Sequence, residues 1–252
     1  MKRSNASSPR LEVIDTAVLL AAGEGSRLRS VAPSKPPCPV AGKPLIAHAI
    51  EGMAAAGIAR VIVVLGYEAD AIRTYLASRD WPVAIETVET RDHREPNGVS
   101  VLAAEAALAG GEALLAMCDH IVEPALYARV AAAGAQGVAT LGIDRDLGSD
   151  WVDLDDVTCV AIEGDRIVAI GKGLAKYVCF DVGVFAIGRG LFAALNGLAS
   201  PSLSAGMTAL AATSAARVVD CSGLQWLDVD DAPALAKAEA WIGMEIIPER
   251  AM

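Results

Sequence analysis

The chain has 252 residues, of which 54% are hydrophobic, and a formal net charge of −10. This length provides ample material for one large α/β domain or two small ones. The acidic balance excludes the broad positive surface that non-specific nucleic-acid binding requires. No apolar run reaches the roughly 18 residues of a membrane span. The five cysteines form no C-x-x-C pair, which disfavours a zinc site or a disulfide framework.

The first residues of the chain are basic and rich in serine, but they lack the apolar core of a signal peptide. We therefore predict a disordered lead-in over residues 1–12 and a cytoplasmic protein. Residues 13–252 are expected to form a single domain, because no repeat or low-complexity linker interrupts them. Its nucleotide-binding half is expected over about 13–136, and a substrate lobe with closing elements over about 137–252.

The first half of the chain alternates short β-branched runs with segments of helical composition. This pattern predicts crossover helices between the strands of a mostly parallel sheet, and hence an α/β fold. The predicted strands cover 16–20, 61–65, 83–88 and 113–117, and the predicted helices cover 45–56, 69–77 and an alanine-rich segment that ends near Gly110.

From residue 137 onward the regular alternation of strand and helix gives way to a run of short predicted strands. The strands at 158–162 and 166–170 are joined by Glu163-Gly164-Asp165 as a hairpin, which predicts a small antiparallel insertion beside the main sheet and a place for a second substrate. The remaining predicted elements are strands at 137–143, 178–187 and 217–219 and helices at 190–195, 204–214 and 232–240.

The loop after the first strand has the composition of a phosphate-binding loop. Gly23 and Gly25 allow a sharp turn that brings backbone N–H groups close to a phosphate. Arg27 can grip phosphate oxygens in bidentate fashion, and Lys35 supplies a compact positive charge. The dinucleotide fingerprint is absent, because Leu28 stands where its third glycine belongs. The loop therefore favours a nucleoside triphosphate.

Two sets of carboxylates are candidate magnesium ligands, since Mg²⁺ prefers oxygen. Asp119 follows a buried strand, with capping of a helix near Pro124 as the alternative. Asp228 and Asp230 precede the helix at 232–240, which Asp230 or its neighbour Asp231 would cap instead.

The whole stretch L-A-A-G-E-G-S-R-L, followed by S-K-P and G-K-P, resembles the signature of the nucleotidyltransferases that activate sugar and alcohol phosphates. Further segments, M-C-D-H, V-D-L-D-D-V-T, I-G-K-G-L and F-D-V-G-V-F, look like the cytidylyltransferases that act on inositol 1-phosphate. The resemblance implies a Rossmann-like three-layer nucleotidyltransferase fold, with a mostly parallel mixed sheet and a small antiparallel substrate-lobe insertion. It also implies CTP and a small phosphorylated alcohol as substrates, with Mg²⁺ as the cofactor.

Site residues are carried over from this resemblance position by position. Of the two later aspartates, Asp228 is favoured over Asp230 as a metal ligand. The expected catalytic residues are Arg27 and Lys35; the nucleotide contacts are Leu20, Ala21, Ala22, Gly23, Glu24, Gly25, Asn97, Gly98 and Ser100; the substrate contacts are His120, Lys172, Asp181 and Gly183; and the metal ligands are Asp119, Asp228 and Asp230.

The acceptor is expected to be a polyol phosphate rather than phosphocholine, because the few aromatic residues are scattered, with no cluster in the presumed substrate lobe beyond Trp151 and Tyr177. The alternatives are phosphocholine cytidylyltransferase, a sugar-1-phosphate nucleotidyltransferase and a non-catalytic nucleotide-binding module. A nicotinamide oxidoreductase is disfavoured by the missing glycine. A homodimer is left open, and a downstream membrane phosphotransferase is expected as a separate protein.

Overall fold

A mixed β-sheet forms the centre of the computed structural model, which describes residues 13–29 and 31–246. The predicted lead-in over 1–12 lies outside these residues. The strands are β1 (Thr16–Ala21), β2 (Pro39–Val40), β3 (Lys43–Pro44), β4 (Arg60–Leu65), β5 (Ala84–Glu89), β6 (Ala113–Met117), β7 (His120–Val122), β8 (Ala139–Asp144), β9 (Cys159–Glu163), β10 (Arg166–Gly171), β11 (Cys179–Ile187), β12 (Ala216–Asp220) and β13 (Trp226–Asp228).

Nine of these strands pair in the order β5-β4-β1-β6-β11-β8-β12-β10-β9. The strands β5, β4, β1 and β6 are mutually parallel, as the alternation of strand and helix predicts. The pairs β6–β11 and β11–β8 are antiparallel. The sheet is therefore mixed, with its parallel half built from the first half of the chain.

Helices cover both faces of the sheet and give the expected three layers. They are α1 (Leu45–Ala55), α2 (Ala69–Ala77), α3 (Gly98–Ala103), α4 (Glu105–Leu108), α5 (Pro124–Ala133), α6 (Arg189–Asn196), α7 (Leu203–Ala211) and α8 (Ala232–Ile246). Buried residues of α1, α2 and α5 pack into one core, whereas those of α3, α6 and α7 pack into the core on the opposite face. A third, smaller core unites α8 with the loop after β1. No helix among the described residues is long and apolar enough to cross a membrane.

The structure adds four short strands that were not predicted, β2, β3, β7 and β13, and it arranges two predicted features differently. The alanine-rich helix is divided at Ala104 into α3 and α4. The predicted hairpin, β9 and β10, lies at the edge of the main sheet rather than beside it, because β10 pairs with β12 and the start of β9 pairs with β11. The region expected to receive the second substrate is thus joined directly to the sheet that carries the signature loop.

Candidate active site

Lys35 lies between carboxylates that come from distant parts of the chain. Its Nζ is 2.7 Å from Oδ2 of Asp119, and it also pairs with Asp230. The Lys35 side chain is only 15% exposed. Burial alone would lower the pKa of Lys35, but the charges of Asp119 and Asp228 outweigh it, so the pKa is raised. The ammonium group therefore stays charged within a half-buried cluster of carboxylates.

A two-stranded ribbon, β7 paired with β13, brings the predicted metal ligands together. Its register sets Asp228 opposite His120, and the N–H of Val229 donates to the carbonyl of Asp119 at 2.9 Å. The Nδ1 of His120 is 3.1 Å from Oδ1 of Asp119 and 3.9 Å from Oδ1 of Asp228. The ribbon thus converts two aspartates more than 100 residues apart into neighbours.

The structure separates the helix cap from the candidate metal ligands: Asp119 and Asp230 do not cap a helix, whereas Asp231 does. The residue that precedes α5 is Glu123, and no side chain caps that helix, so Asp119 has no capping role. At α8 the cap is Asp231, whose Oδ1 accepts a hydrogen bond from the N–H of Ala234 at 2.8 Å. Asp119 and Asp230 are therefore available to the cluster around Lys35.

The cluster has the chemistry of a site for a hard divalent cation. Single ligand atoms of Asp119, His120 and Asp228 lie within 4.8 Å of one another, as do those of Asp156, Asp228 and Asp230. The Oδ1 of Asp228 is buried without a hydrogen-bond partner among the described residues. Burial raises the pKa of Asp228, whereas the charges of Lys35 and His120 overcome burial and hold the pKa of Asp119 well below its usual range. These oxygens fit Mg²⁺.

Asp156 joins the signature loop to the substrate lobe, a role that was not predicted from the sequence. Its Oδ2 is 3.0 Å from Nη2 of Arg27, and its other oxygen pairs with Lys172. Arg27 also donates to Oδ2 of Asp230 at 2.7 Å. The hydrogen bonds that Asp156 accepts from Lys172 and Arg27 lower its pKa, although burial acts in the opposite direction. The bond from Lys172 has the larger effect. The only sequence signal for Asp156 is its position within V-D-L-D-D-V-T.

The second glycine of the signature loop makes room for the side chain of Lys35. Gly25 has φ +62°, a left-handed conformation, and a Cβ atom there would collide with the side chain of Lys35. A Cβ atom at Gly23 would meet nothing within 4 Å. The glycine at position 25 is therefore needed for the path of Lys35, in addition to the turn itself.

The predicted nucleotide contacts lie on two segments at one edge of the sheet. Leu20 and Ala21 end β1, and the carbonyl of Ala22 accepts a hydrogen bond from the N–H of Tyr67 at 2.9 Å. Glu24 pairs with Arg29 at 2.7 Å. These contacts anchor the loop and leave Gly23 exposed to solvent.

The second segment begins at Asn97, which lines the main cleft. Its Oδ1 accepts a hydrogen bond from the N–H of Leu203 at 2.8 Å and so ties the start of α3 to the start of α7. Gly98 and Ser100 are buried in α3. Gly98 and Ser100 therefore contribute to the packing of α3.

The main cleft has a volume of about 660 Å³ and brings most of the other predicted residues together. Its wall does not include residues 20–25. The predicted site residues along the wall are Asn97, His120, Lys172, Asp181, Gly183, Asp228 and Asp230.

A bulge in β11 places His120 against Gly183. The N–H of Gly183 donates to Oδ1 of Asp181 at 2.7 Å, and Gly183 has φ +76°. A Cβ atom there would stand 2.5 Å from the imidazole ring, so only glycine fits. Burial raises the pKa of Asp181 to about 6. Burial alone would lower the pKa of His120, but the negative charges of Asp228 and Asp119 outweigh burial and raise this pKa to about 9.

The aromatic residues are less scattered than the sequence indicated. Trp151, Trp226 and Trp241 line a second cavity of about 140 Å³ next to the main cleft. They come from three separate segments, which is why their approach is not visible in the sequence.

Comparison with known proteins identifies the family of this chain. Residues 17–148 match the model of the MobA-like NTP transferase domain. The bifunctional IPC transferase and DIPP synthase of Rubrobacter xylanophilus is 31% identical over 238 residues, which are 90% of this chain and 51% of that protein. The protein with the same name from Aquifex aeolicus is 27% identical over 91% of this chain and 52% of its own length. The chain thus spans about half the length of these relatives.

Among solved structures, the inositol-1-phosphate CTP transferase from T. maritima superposes with a TM-score of 0.80 at 23% identity, covering 94% of this chain and 99% of that one. This similarity confirms the predicted nucleotidyltransferase fold. Because the family match covers more than half of the chain, the protein belongs to the family of MobA-like NTP transferase domains and is a nucleotidyltransferase.

Proposed function

We propose that this chain transfers the cytidylyl group of CTP to a phosphorylated alcohol, and that the acceptor is inositol 1-phosphate. The observation that carries the proposal is the position of Lys35 between Asp119 and Asp230, since Asp230 lines the cleft that also contains Lys172. The name of the T. maritima protein, inositol-1-phosphate CTP transferase, supports this choice of nucleotide and acceptor.

On the donor side, Lys35 and Arg27 are proposed to face the phosphates of CTP. Asp119 and Asp228 would hold Mg²⁺, with Asp230 beside them, and the bound ion would neutralise phosphate charge during transfer. Asp228 is proposed as the better ligand of the later pair, because Asp230 already pairs with both Lys35 and Arg27, whereas Asp228 has only a long ion pair, 3.9 Å, with His120.

On the acceptor side, Lys172 is proposed to bind the phosphate and the deep part of the cleft to bind the ring. Lys172 stands on the turn after β10 with its side chain 58% exposed, so it is accessible to a phosphate. His120 and Asp181 line the cleft and offer a donor and an acceptor to hydroxyl groups. A site built from such buried polar groups discriminates against ligands without hydroxyls.

The proposed reaction needs no general base, since the attacking phosphate oxygen is already an anion. That oxygen forms a bond to the α-phosphorus of CTP while the bond from this phosphorus to the pyrophosphate oxygen breaks. Catalysis then depends on alignment and on charge neutralisation, which positioned cations supply. The cationic side chains of Lys35, Arg27 and Lys172 have the required charge.

A screen of pyrophosphate release tests the proposal. CTP, UTP, ATP and GTP are crossed with inositol 1-phosphate, phosphocholine and glucose 1-phosphate, and the products are identified by mass spectrometry. We expect release to be fastest with CTP and inositol 1-phosphate, with CDP-inositol as the product. Dominant CDP-choline in a mixture of equal acceptor concentrations would refute the acceptor, and preference for another triphosphate would refute the donor.

A further inference from the structure

The second cavity, which the proposed reaction does not use, has walls of an unusual composition. It lies between the end of β8, the segment before β13 and α8, with a volume of about 140 Å³. Its lining includes three of the four tryptophans of the chain and two aspartates: Trp151, Trp226, Trp241, Asp144 and Asp146.

The indole rings stand at an angle to one another, as the walls of a cage do. The ring centres of Trp151 and Trp241 are 6.4 Å apart with an interplanar angle of 65°. The Nε1 of Trp226 donates to Oδ2 of Asp144 at 3.0 Å, which fixes this third ring beside a carboxylate. The faces of indole rings attract cations, and most strongly those that have lost water.

The two carboxylates of this cavity have no basic partner. Asp144 is 6% exposed and accepts hydrogen bonds from the N–H of Asp146 and from Trp226, both of which are neutral donors. Neither Asp144 nor Asp146 forms a salt bridge with any residue that the structure describes, and Arg145, between them in sequence, binds Asp220 instead. A buried carboxylate without a counter-charge favours a cationic ligand.

We propose that this cavity binds a small organic ammonium ion, of the kind represented by tetramethylammonium and the choline headgroup. Since a water molecule occupies about 30 Å³ in the liquid, the cavity accommodates roughly five non-hydrogen atoms, the number in tetramethylammonium. A metal ion is a poorer match, because the indole walls provide no oxygen ligands. The proposal is independent of which acceptor the transferase uses.

The ammonium group has two chemical sources. Trp151 and Trp226 line both the cavity and the main cleft, so the two spaces adjoin. The cation is therefore either a free small ligand beside the active site or the far end of a phosphorylated amino alcohol whose phosphate lies in the cleft. Both sources share the same recognition by indole faces and carboxylates.

Isothermal titration calorimetry with tetramethylammonium chloride tests the site directly, with tert-butanol as a neutral probe of the same number of heavy atoms. We expect saturable binding of the cation and none of the alcohol. Asp146→Asn, which removes an exposed charge, and Trp151→Leu, which removes a half-buried ring, should each weaken binding at least about fivefold. Asp80→Asn and Trp81→Phe, outside the cavity, should bind as the parent does.

Absence of saturable binding, equal binding of tert-butanol, or unchanged affinity in both cavity variants would overturn the ammonium site and leave the proposed transferase untouched. Turnover assays then distinguish the sources. If choline binds without inhibiting transfer to inositol 1-phosphate, the site takes a free ion. If phosphocholine replaces inositol 1-phosphate as the preferred acceptor and choline competes with it, the ammonium site stands and the proposed acceptor falls.

Discussion

The carboxylate of Asp156 binds Arg27, with 3.0 Å between Oδ2 and Nη2, and so connects the signature loop to the substrate lobe. The same carboxylate pairs with Lys172 through its other oxygen. One anion thus holds the cation proposed for the donor phosphates and the cation proposed for the acceptor phosphate. This arrangement fixes the spacing between the two cations that are proposed to align the two phosphates.

Asp156→Asn and Lys172→Ala should both impair acceptor binding. The asparagine keeps the shape of Asp156 but loses the charge that positions Lys172, so we expect the KM for the acceptor to rise about tenfold with a smaller change in kcat. Lys176→Ala is the control, because this lysine is exposed on the neighbouring turn. Steady-state kinetics at saturating CTP provide the measurement, and an unchanged acceptor KM in both variants would remove Asp156 and Lys172 from the site.

Lys35→Ala should reduce kcat by a factor on the order of 10²–10³, the typical loss for one positioned electrostatic contact to a transition state. The structure adds a second expectation, since Lys35 neutralises Asp119 and Asp230 in a half-buried cluster. The variant should therefore also unfold at a lower temperature in EDTA, and added Mg²⁺ should recover part of that loss. Lys43→Ala, which removes only an exposed pair with Glu51, is the control. Turnover within a few-fold of the parent would show that Lys35 is not the catalytic cation.

The parallel half of the fold was predictable because its signals are local. Continuous β-branched runs such as β4 and the helical composition of α1 and α2 depend on adjacent residues, and these elements match their predicted bounds to within one or two residues. The ribbon of β7 and β13 was missed, since each strand has only three residues and its partner lies more than 100 positions away. Such strands have no periodicity to detect.

In the candidate site, too, the residues that local motifs indicate were predicted, and those that depend on distant partners were missed. Lys35, Asp119 and Asp228 were found from local motifs, and the structure brings them together. Asp156 and the cavity lined by Trp151 were missed because their roles arise only when separate loops approach one another. The length of a motif match can identify a residue as part of a site, but the partner of its side chain depends on tertiary packing.

Asp119→Asn should shift the magnesium dependence of the reaction. The substitution preserves shape and removes a charge that is proposed to hold the cation, so half-maximal activity should require at least tenfold more Mg²⁺. Asp228→Asn should act in the same direction. Asp231→Asn is the matched control, because asparagine caps a helix about as well as aspartate does and Asp231 caps α8. A magnesium titration that is the same for all three variants would contradict the assignment.

Gly25→Ala should lower activity more than its backbone strain explains. Gly25 and Gly42 both have left-handed φ values, +62° and +79°, so alanine costs roughly 1 kcal/mol of conformational strain at either position. Only at Gly25 would the new methyl group meet Lys35, whereas nothing lies within 4 Å at Gly42. We expect Gly25→Ala to lose most of its kcat and Gly42→Ala to retain it. Equal kcat in the two variants, measured beside their urea unfolding curves, would reduce the role of Gly25 to turn geometry.

Asp181→Asn should make the protein more stable at neutral pH and less active. Burial raises the pKa of Asp181 from 3.8 to about 6. The carboxyl group of Asp181 therefore binds its proton more tightly in the folded state than in the unfolded state. The stability that protonation contributes is complete below about pH 4 and is lost as the pH rises through 6. An asparagine stays neutral at every pH, and its oxygen can still accept from Gly183.

The advantage of the Asp181→Asn variant in free energy of unfolding should therefore be near zero at pH 4 and grow to at most about 3 kcal/mol at pH 7. Urea unfolding of both proteins at pH 4, 5, 6 and 7 measures this difference. A difference that is constant across the range would show that Asp181 does not titrate there. We expect Asp181→Asn to lose activity as well, because the carboxylate of Asp181 is proposed to bind a hydroxyl group of the acceptor. A group that lowers stability but serves binding is common in functional sites.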